Sequence, residues 1–382
     1  MIKNRHVILA AGGTGGHIFP AIAVAEALLT REYTTSLFTD ARGIDLGSRM
    51  SEITVHRINA SGIGGGVIAK AKAAVSLGLG TIQARRLLHN INPCCIVGFG
   101  GYSSAPTLVA ATMSGFPTII HEQNACLGRA NRFLAGRVSV IATSFAKTQG
   151  IVTSNTPKVV FTGNPVRSAF SDVRAQPYPP ISPRGKEIKI LVLGGSLGAT
   201  IFSDVVPRAI TEMPEKLRRK FAITQQCRFE DIDRVHDTYK KAGIKPNLRT
   251  FFDNVPQHMA AAHIVISRAG ASTIAELAEV GRPAILVPYP EALDDHQTAN
   301  ARAVEERNAG WLIPQESFTA KCLTKHLERF VTLPDTLPNA AEMAKTCGDR
   351  NAASLVADQV EFKSVNQTNA KAGADEAPEI AA

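Results

Sequence analysis

Short β-rich apolar runs, each cut off by a polar or glycine turn, alternate along the chain with longer stretches of helical character. That alternation predicts an α/β fold, a parallel sheet covered by helices on both faces. The first strand is expected at His6 to Ala11 and the first helix at Ile18 to Thr30. Further strands are expected at Thr35 to Thr39, Ile53 to Ile58, Cys94 to Val97, Thr118 to His121, Val138 to Ala142 and Lys158 to Thr162. The pattern then breaks. Pro177, Pro179, Pro180 and Pro183 are too many for a central sheet, so residues 166–186 read as a stiff interdomain connection. A second series follows, with strands expected at Ile188 to Leu193, Phe221 to Thr224, Leu248 to Phe252, Ile264 to Ser267 and Ala284 to Val287. Each half opens on a buried strand, a glycine-rich turn and a helix, first at residues 7–17 and again at 190–199. Two α/β domains are therefore expected, over 1–165 and 187–340. After Phe362 the chain is rich in Asn, Ala, Gly and charge with little to bury, so 363–382 are expected to be a disordered tail.

Composition supports this division. The 382 residues exceed what one hydrophobic core usually organises, and 45% hydrophobic against 20% charged is the balance of a chain that folds. Charge changes the picture more. Of the net +9, residues 1–176 hold 17 Lys and Arg against 7 Asp and Glu, while the remainder holds 25 against 26. The whole excess lies in the N-terminal half, which points to a large anionic partner there, either nucleic acid or an anionic membrane. Residues 67–90 mix Val67, Ile68, Val75, Leu77, Leu79, Ile82, Leu87 and Leu88 with Lys70, Lys72, Arg85 and Arg86. This is the make-up of a basic amphipathic surface, and equally of a core-facing helix with a solvated basic face. No aromatic residue interleaves with the patch, which argues against single-stranded nucleic acid. Glycine interrupts the apolar runs before any reaches bilayer or signal-peptide length, so a cytoplasmic chain is expected. Cysteines 94, 95, 126, 227, 322 and 347 contain no C-x-x-C pair and read as small core hydrophobes.

The candidate chemistry lies in the loops after the strands. A glycine turn between a buried strand and a helix brings backbone N–H groups to an anion. The first turn departs from the dinucleotide fingerprint, because the last glycine counted from Gly13 falls on Ile18; Asp40, ending the second strand, is the one feature an NAD site would share. His17 follows the four loop glycines at the start of a helix, where a neutral imidazole can accept a proton or simply hold structure by hydrogen bonds. His121, Glu122, Gln123 and Asn124 form a second polar cluster at a strand's C-terminal edge. In the other half, Ser267 to Glu276 joins a strand to a helix whose first turn suits phosphate, and Glu276 stands where it can accept from ribose hydroxyls or act as a capping carboxylate. Gln297 offers a donor and an acceptor to a sugar. Asp294 and Asp295 suggest a metal, but they and Asp231 with Asp233 have no further ligands in view, and none is expected.

Taken in order, these motifs resemble the MurG family, the N-acetylglucosaminyltransferases that turn lipid I into lipid II in peptidoglycan synthesis. The resemblance covers about residues 5–360. It rests on the first glycine loop to His17, Gly98 to Tyr102, His121 to Asn124, Gly163 to Arg167, Gly194 to Ser196, Ser267 to Glu276, and His296 with Gln297. It implies a GT-B architecture of two Rossmann-like, doubly wound domains facing a cleft, with a C-terminal helix over 341–362 packing back on the first domain. It implies inverting transfer from UDP-N-acetylglucosamine to lipid I, with no cofactor and no essential metal, at the cytoplasmic face of the bacterial inner membrane. Thr14, Gly15, Gly16, Asn124, Arg167, Ser196, Phe252, Ala271, Ser272, Thr273, Ile274, Ala275, Glu276 and Gln297 correspond to donor-contacting positions, Phe252 through its backbone. The same resemblance favours His17 as the general base, with Glu122 or His121 as rival. His296 stands where some members carry a second glutamine. Two other readings share these motifs: a related lipid-sugar transferase with another acceptor, and a non-catalytic nucleotide-sugar-binding protein.

Overall fold

The computed structural model describes residues 5–13, 15–40, 52–60, 67–181, 188–195, 198–348 and 351–375, the side chains of 67–73 and 366–375 excepted. The chain forms two compact units, residues 1–167 with 350–382, and residues 168–349.

The first unit runs β1 (His6–Ala10), α1 (Gly15–Leu29), β2 (Thr34–Thr39), β3 (Ile53–Arg57), α2 (Val67–Ile91), β4 (Cys95–Gly98), α3 (Ser104–Met113), β5 (Thr118–Glu122), α4 (Arg129–Leu134), β6 (Val140–Thr143) and β7 (Val159–Phe161). Its sheet has the order β3-β2-β1-β4-β5-β6-β7 and is parallel throughout. Successive β1 side chains enter opposite cores: Val7 and Leu9 join Val24 and Leu28 of α1, whereas Ile8 and Ala10 join Phe38, Leu88 and Leu108. Burial on both faces explains why these strands are continuous apolar runs rather than alternating ones.

The second unit runs α5 (Ser168–Ser171), β8 (Ile188–Leu193), α6 (Thr200–Thr211), α7 (Glu215–Arg218), β9 (Phe221–Gln226), α8 (Ile232–Lys241), β10 (Asn247–Arg249), α9 (Val255–Ala261), β11 (Ile264–Ser267), α10 (Ala271–Val280), β12 (Ala284–Leu286), α11 (His296–Glu305), β13 (Gly310–Leu312), α12 (Ala320–Thr332) and α13 (Thr336–Ala344). Its sheet order, β10-β9-β8-β11-β12-β13, is also all parallel. The three-residue β13 was not among the expected strands.

Three expectations change. The connection expected over 166–186 does not stand apart in its described part, 166–181, because from Ser168 it is fastened onto the second unit, while 182–186 lie outside the described residues. Arg174 pairs with Glu279 at 3.1 Å, the Arg282 guanidinium donates to the Pro177 carbonyl, and Tyr178 Oη donates to the His263 carbonyl at 2.9 Å. The helix expected over 341–362 is divided, since α13 ends at Ala344 in the second unit and α14 (Ala352–Asp375) lies in the first. Val356, Ala357 and Val360 of α14 enter the α1 core, and Arg31 bonds Asp358 at 2.7 Å and Glu361 at 3.2 Å. Nor is 363–375 a disordered tail: the helix continues through it, with Ser364 still buried, while 376–382 lie outside the described residues.

Each sheet reverses strand order beside its first strand, at β1/β4 and at β8/β11. In doubly wound sheets ligands bind outside the carboxyl ends of the strands at that reversal.

Candidate active site

In the first unit the carboxyl ends of β1, β4 and β5 bring three loops together. Gly12 N donates to the Gly100 carbonyl at 3.2 Å and Ser103 Oγ to the Ala11 carbonyl at 3.2 Å, joining the first two. Asp40, weighed as a nucleotide acid, is buried at the end of β2 and accepts from Gly13 N at 3.5 Å. Because α1 begins at Gly15, His17 stands in its first turn. His17 Nδ1 bonds Gln123 Oε1 at 3.3 Å. His121 is fully buried; its Nε2 donates to the Gly163 carbonyl at 3.0 Å, and burial pushes its pKa down to about 4.

Glu122 is 2% exposed, and both of its oxygens are engaged. Oε1 accepts from Asn124 N at 3.0 Å and Asn124 Nδ2 at 3.1 Å, and Oε2 accepts from Gly128 N at 2.9 Å and Asn131 Nδ2 at 2.8 Å. One carboxylate thus closes the loop from β5 to α4 and sets the orientation of Asn124. Arg167 lies over the Phe19 ring at 4.7 Å. Gly15 and Gly16 open α1; Thr14 and Ser196 lie outside the described residues.

In the second unit, α10 starts after Gly270, and its own ladder begins with Ile274 N donating to the Gly270 carbonyl at 3.0 Å. The first-turn residues Ala271, Ser272 and Thr273 therefore carry amides outside that ladder, at the positive end of the helix. Ala275 and Glu276 follow, both half-buried. Gln297 Oε1 accepts from Ala269 N at 3.2 Å and Tyr289 N at 3.0 Å, so the oxygen of this amide is committed to the backbone. Phe252 is buried with its ring 4.7 Å from that of His258. Asp294 and Asp295 hold left-handed backbone at φ 53° and 49°, a conformation that Asp tolerates, which gives the acid pair a turn-forming role. Among the described residues no group of three or more His, Cys, Asp or Glu converges.

Several organising residues escaped sequence reasoning. Gln226 at the end of β9 accepts from Gly194 N at 3.1 Å and donates to the Gly195 carbonyl at 3.0 Å, tying down the second glycine loop. Asn300 is buried and donates to the Ala269 carbonyl at 3.1 Å. Arg268 reaches the Val287 and Pro288 carbonyls and Gln315 Oε1. The available signal was an amide on the buried face of a helix, Asn300 beside Ala301 and Val304 and three residues after Gln297.

On α2, Ala84 and Leu88 are buried, while Val75, Leu79 and Ile82 are more than half exposed on one helical face, with Arg85 and Arg86 exposed beside them. The side chains of Val67, Ile68, Lys70 and Lys72 lie outside the described residues. No helix among the described residues is long and apolar enough to cross a membrane.

Residues 7–143 match the glycosyltransferase family 28 N-terminal domain and residues 189–360 the family 28 C-terminal domain. A protein of Paramagnetospirillum magneticum named UDP-N-acetylglucosamine--N-acetylmuramyl-(pentapeptide) pyrophosphoryl-undecaprenol N-acetylglucosamine transferase is 50% identical over 93% of this chain and 95% of its own. One of the same name from Rhodospirillum centenum is 49% identical over 93% of both chains. The crystal structure of Acinetobacter baumannii MurG superposes with a TM-score of 0.75 at 28% identity, over 94% of this chain and 99% of that one. The UDP-GlcNAc 2-epimerase of Neisseria meningitidis, at 14% identity, TM-score 0.66 and coverage of 94% and 100%, shares the fold alone.

Proposed function

The chain belongs to the MurG family of N-acetylglucosaminyltransferases, with the GT-B fold, and from that membership we propose that it moves N-acetylglucosamine from UDP-N-acetylglucosamine to the muramyl sugar of lipid I, giving lipid II. The observation that carries the reading is identity near one half over more than nine-tenths of both chains, supported by glycine loops and helix N-termini at the carboxyl ends of both sheets, a setting that suits a diphosphate and a sugar. The transfer is an inverting displacement. The sugar's anomeric C–O bond to the diphosphate breaks as a bond to the acceptor's 4-hydroxyl oxygen forms, the hydroxyl proton passes to His17, and UDP leaves. Charge developing on the diphosphate is met by the first-turn amides and hydroxyls of α10, at Ala271 to Thr273, with no metal required. Glu276 accepts from ribose, Gln297 donates to the sugar, and Gly15, Gly16, Asn124, Arg167 and the Phe252 backbone complete the donor contacts. Thr14, Ser196, Ile274 and Ala275 are assigned with them by family position.

Glu122 takes a different part from His17 in this reading. Four N–H donors already occupy it, and its work is to hold Asn124 and the β5–α4 loop. The exposed apolar face of α2 with Arg85 and Arg86 rests on the anionic inner-membrane surface on its cytoplasmic side, as a peripheral attachment. Labelled UDP-N-acetylglucosamine incubated with a lipid I analogue, with a diacylglycerol acceptor alongside and EDTA in a parallel reaction, tests the assignment. Chelator-resistant transfer to the lipid I analogue is expected; transfer to diacylglycerol alone, or to neither acceptor, would remove the assignment.

A further inference from the structure

His17 can take a proton only through a nitrogen that carries a lone pair, so the tautomer of its ring decides whether it acts. A directed chain of hydrogen bonds fixes that tautomer from a distance. The Gly163 carbonyl at the far end can only accept, so the His121 nitrogen that meets it at 3.0 Å, Nε2, carries hydrogen. His121 is fully buried and neutral, which leaves the lone pair on its Nδ1. That lone pair is met at 3.1 Å by Gln123 Nε2. The same Gln123 nitrogen faces the Phe99 carbonyl at 2.8 Å and the His121 carbonyl at 3.2 Å. All three neighbours are acceptors, so the amide has one permitted orientation, and its oxygen is the end turned to His17. At 3.3 Å from that oxygen, His17 Nδ1 must donate.

Three glycines pack close around the ring, and the edge it turns to Gln123 is the one that carries Nδ1. A Cβ placed on Gly100 would lie 3.3 Å from His17 Cε1 and 3.4 Å from Nδ1, and one on Gly101 would lie 3.3 Å from Cδ2. Gly12 approaches the same Cδ2, its added Cβ standing 3.4 Å away. Gly100 and Gly101 have φ of +86° and +79°, so the backbone there is shaped for glycine and the imidazole sits in the slot they leave.

We propose that Gln123 is a positioning residue that sets the His17 tautomer, keeping hydrogen on Nδ1 and the lone pair on Nε2, the nitrogen that receives the acceptor's proton. The last clause rests on the reading of His17 as the base; the tautomer itself does not. Histidine-selective 15N labelling of the full chain and long-range proton–nitrogen correlation distinguish the two neutral tautomers, with His17→Ala and His121→Ala used to assign the signals. The wild type should show opposite tautomers, Nδ1–H at His17 and Nε2–H at His121. An Nε2–H form at His17 in the wild type would overturn the proposal, and that measurement needs no variant of Gln123 to fold.

The consequence for turnover is read with Gln123→Leu, which fills the space but neither donates nor accepts. The His17 signals should shift toward Nε2–H, kcat should fall by about 10²-fold, and the donor KM should stay near that of the wild type. Added to His17→Ala, the Gln123→Leu change should cost nothing further, because its effect passes through that ring. Losses that multiply, or a KM effect with kcat kept, would refute the positioning role. Failure of the base reading looks different: His17→Ala would then retain turnover while the wild-type spectrum still decides the tautomer.

Discussion

Changing Glu122 to glutamine separates a carboxylate that moves a proton from one that holds a loop. The substitution preserves shape and one oxygen but sets an NH2 group against two N–H donors, either those of Asn124 or the pair from Gly128 and Asn131. Two bonds to a charged acceptor are lost in a site that is 2% exposed, and the donors they leave behind find little water. A hydrogen bond to a charged group contributes about 1.5 to 3 kcal/mol, and the bonds from Asn124 and Gly128 are only partly buried, so a loss of about 3 kcal/mol is expected. At about 2 to 4 °C per kcal/mol for a domain of this size, the melting temperature should fall by about 6 to 12 °C. Calorimetry measures that fall, and the transfer assay run well below the new midpoint measures what chemistry survives. A loop anchor predicts a raised donor KM, through Asn124, with turnover reduced but present. A melting temperature within about 2 °C of the wild type, together with turnover lowered about 10³-fold or more, would refute the anchoring role and make Glu122 the proton acceptor.

His121 makes stability depend on pH. Above its ordinary pKa of 6.5 both folded and unfolded chains leave it neutral, but between 6.5 and about 4 only the unfolded chain takes the proton. Stability is therefore lost as pH falls through that window, by about 2 kcal/mol at pH 5. Urea midpoints at pH 7.5 and pH 5 should differ less in His121→Gln than in the wild type, and equal differences would contradict the assignment. Arg282 is fully buried and donates to the carbonyls of Ala260, Val280, Gly281 and Pro177. Arg282→Met should cost about 3 kcal/mol or more by leaving them without donors, and Arg282→Lys should restore little because it lacks the planar fork; full rescue by lysine in a urea titration counts against this. Asp295 is exposed at φ 49°, so Asp295→Gly should hold or raise stability while Asp295→Val lowers it by about 1 to 2 kcal/mol, and equal midpoints would remove the backbone explanation.

The strands that were legible in the sequence are those buried on both faces, such as His6–Ala10 and Ile188–Leu193, where the apolar run itself marks the element. Gly310–Leu312 was not legible because three residues give no period to read. The tail misled for a related reason: its composition is polar, yet α14 continues past Phe362 with Ser364 still buried. In the candidate site, glycine loops and acid–amide clusters announced their positions through residue type. Their partners did not. Gln226 meets Gly194 across 32 residues, and Gln123 meets His17 across 106, because β9 lies beside β8 and the reversal at β1 brings β4 and β5 nearby. Such pairings follow from strand order, which local pattern does not encode. Asp294 and Asp295, where no metal was expected, are distinguished by a left-handed backbone angle that residue type alone does not state.

Neutral amides help to secure loops at the carboxyl ends of both sheets, and their chemistry explains the choice. Gln226 accepts from one glycine and donates to the next; Gln297 accepts from two backbone amides, one of them that of Ala269, while Asn300 donates to the carbonyl of the same residue; Gln123 accepts from one histidine and donates to another. At Gln226 or Gln123 a carboxylate could only accept and an ammonium could only donate, so neither could make both kinds of bond. Under the proposed donor binding either would also add a full charge near the diphosphate: an acid would repel it, and a base would hold the leaving UDP as firmly as the substrate. The amide supplies direction without net charge. In the proposed function, attraction for phosphate is then left to the helix N-termini, whose partial charge is fixed in the backbone and needs no counter-ion. Charged groups take part beside them: Asp40 accepts from Gly13 N, Arg268 donates to the Val287 and Pro288 carbonyls, and Glu122 spreads its charge over four N–H groups within one buried loop.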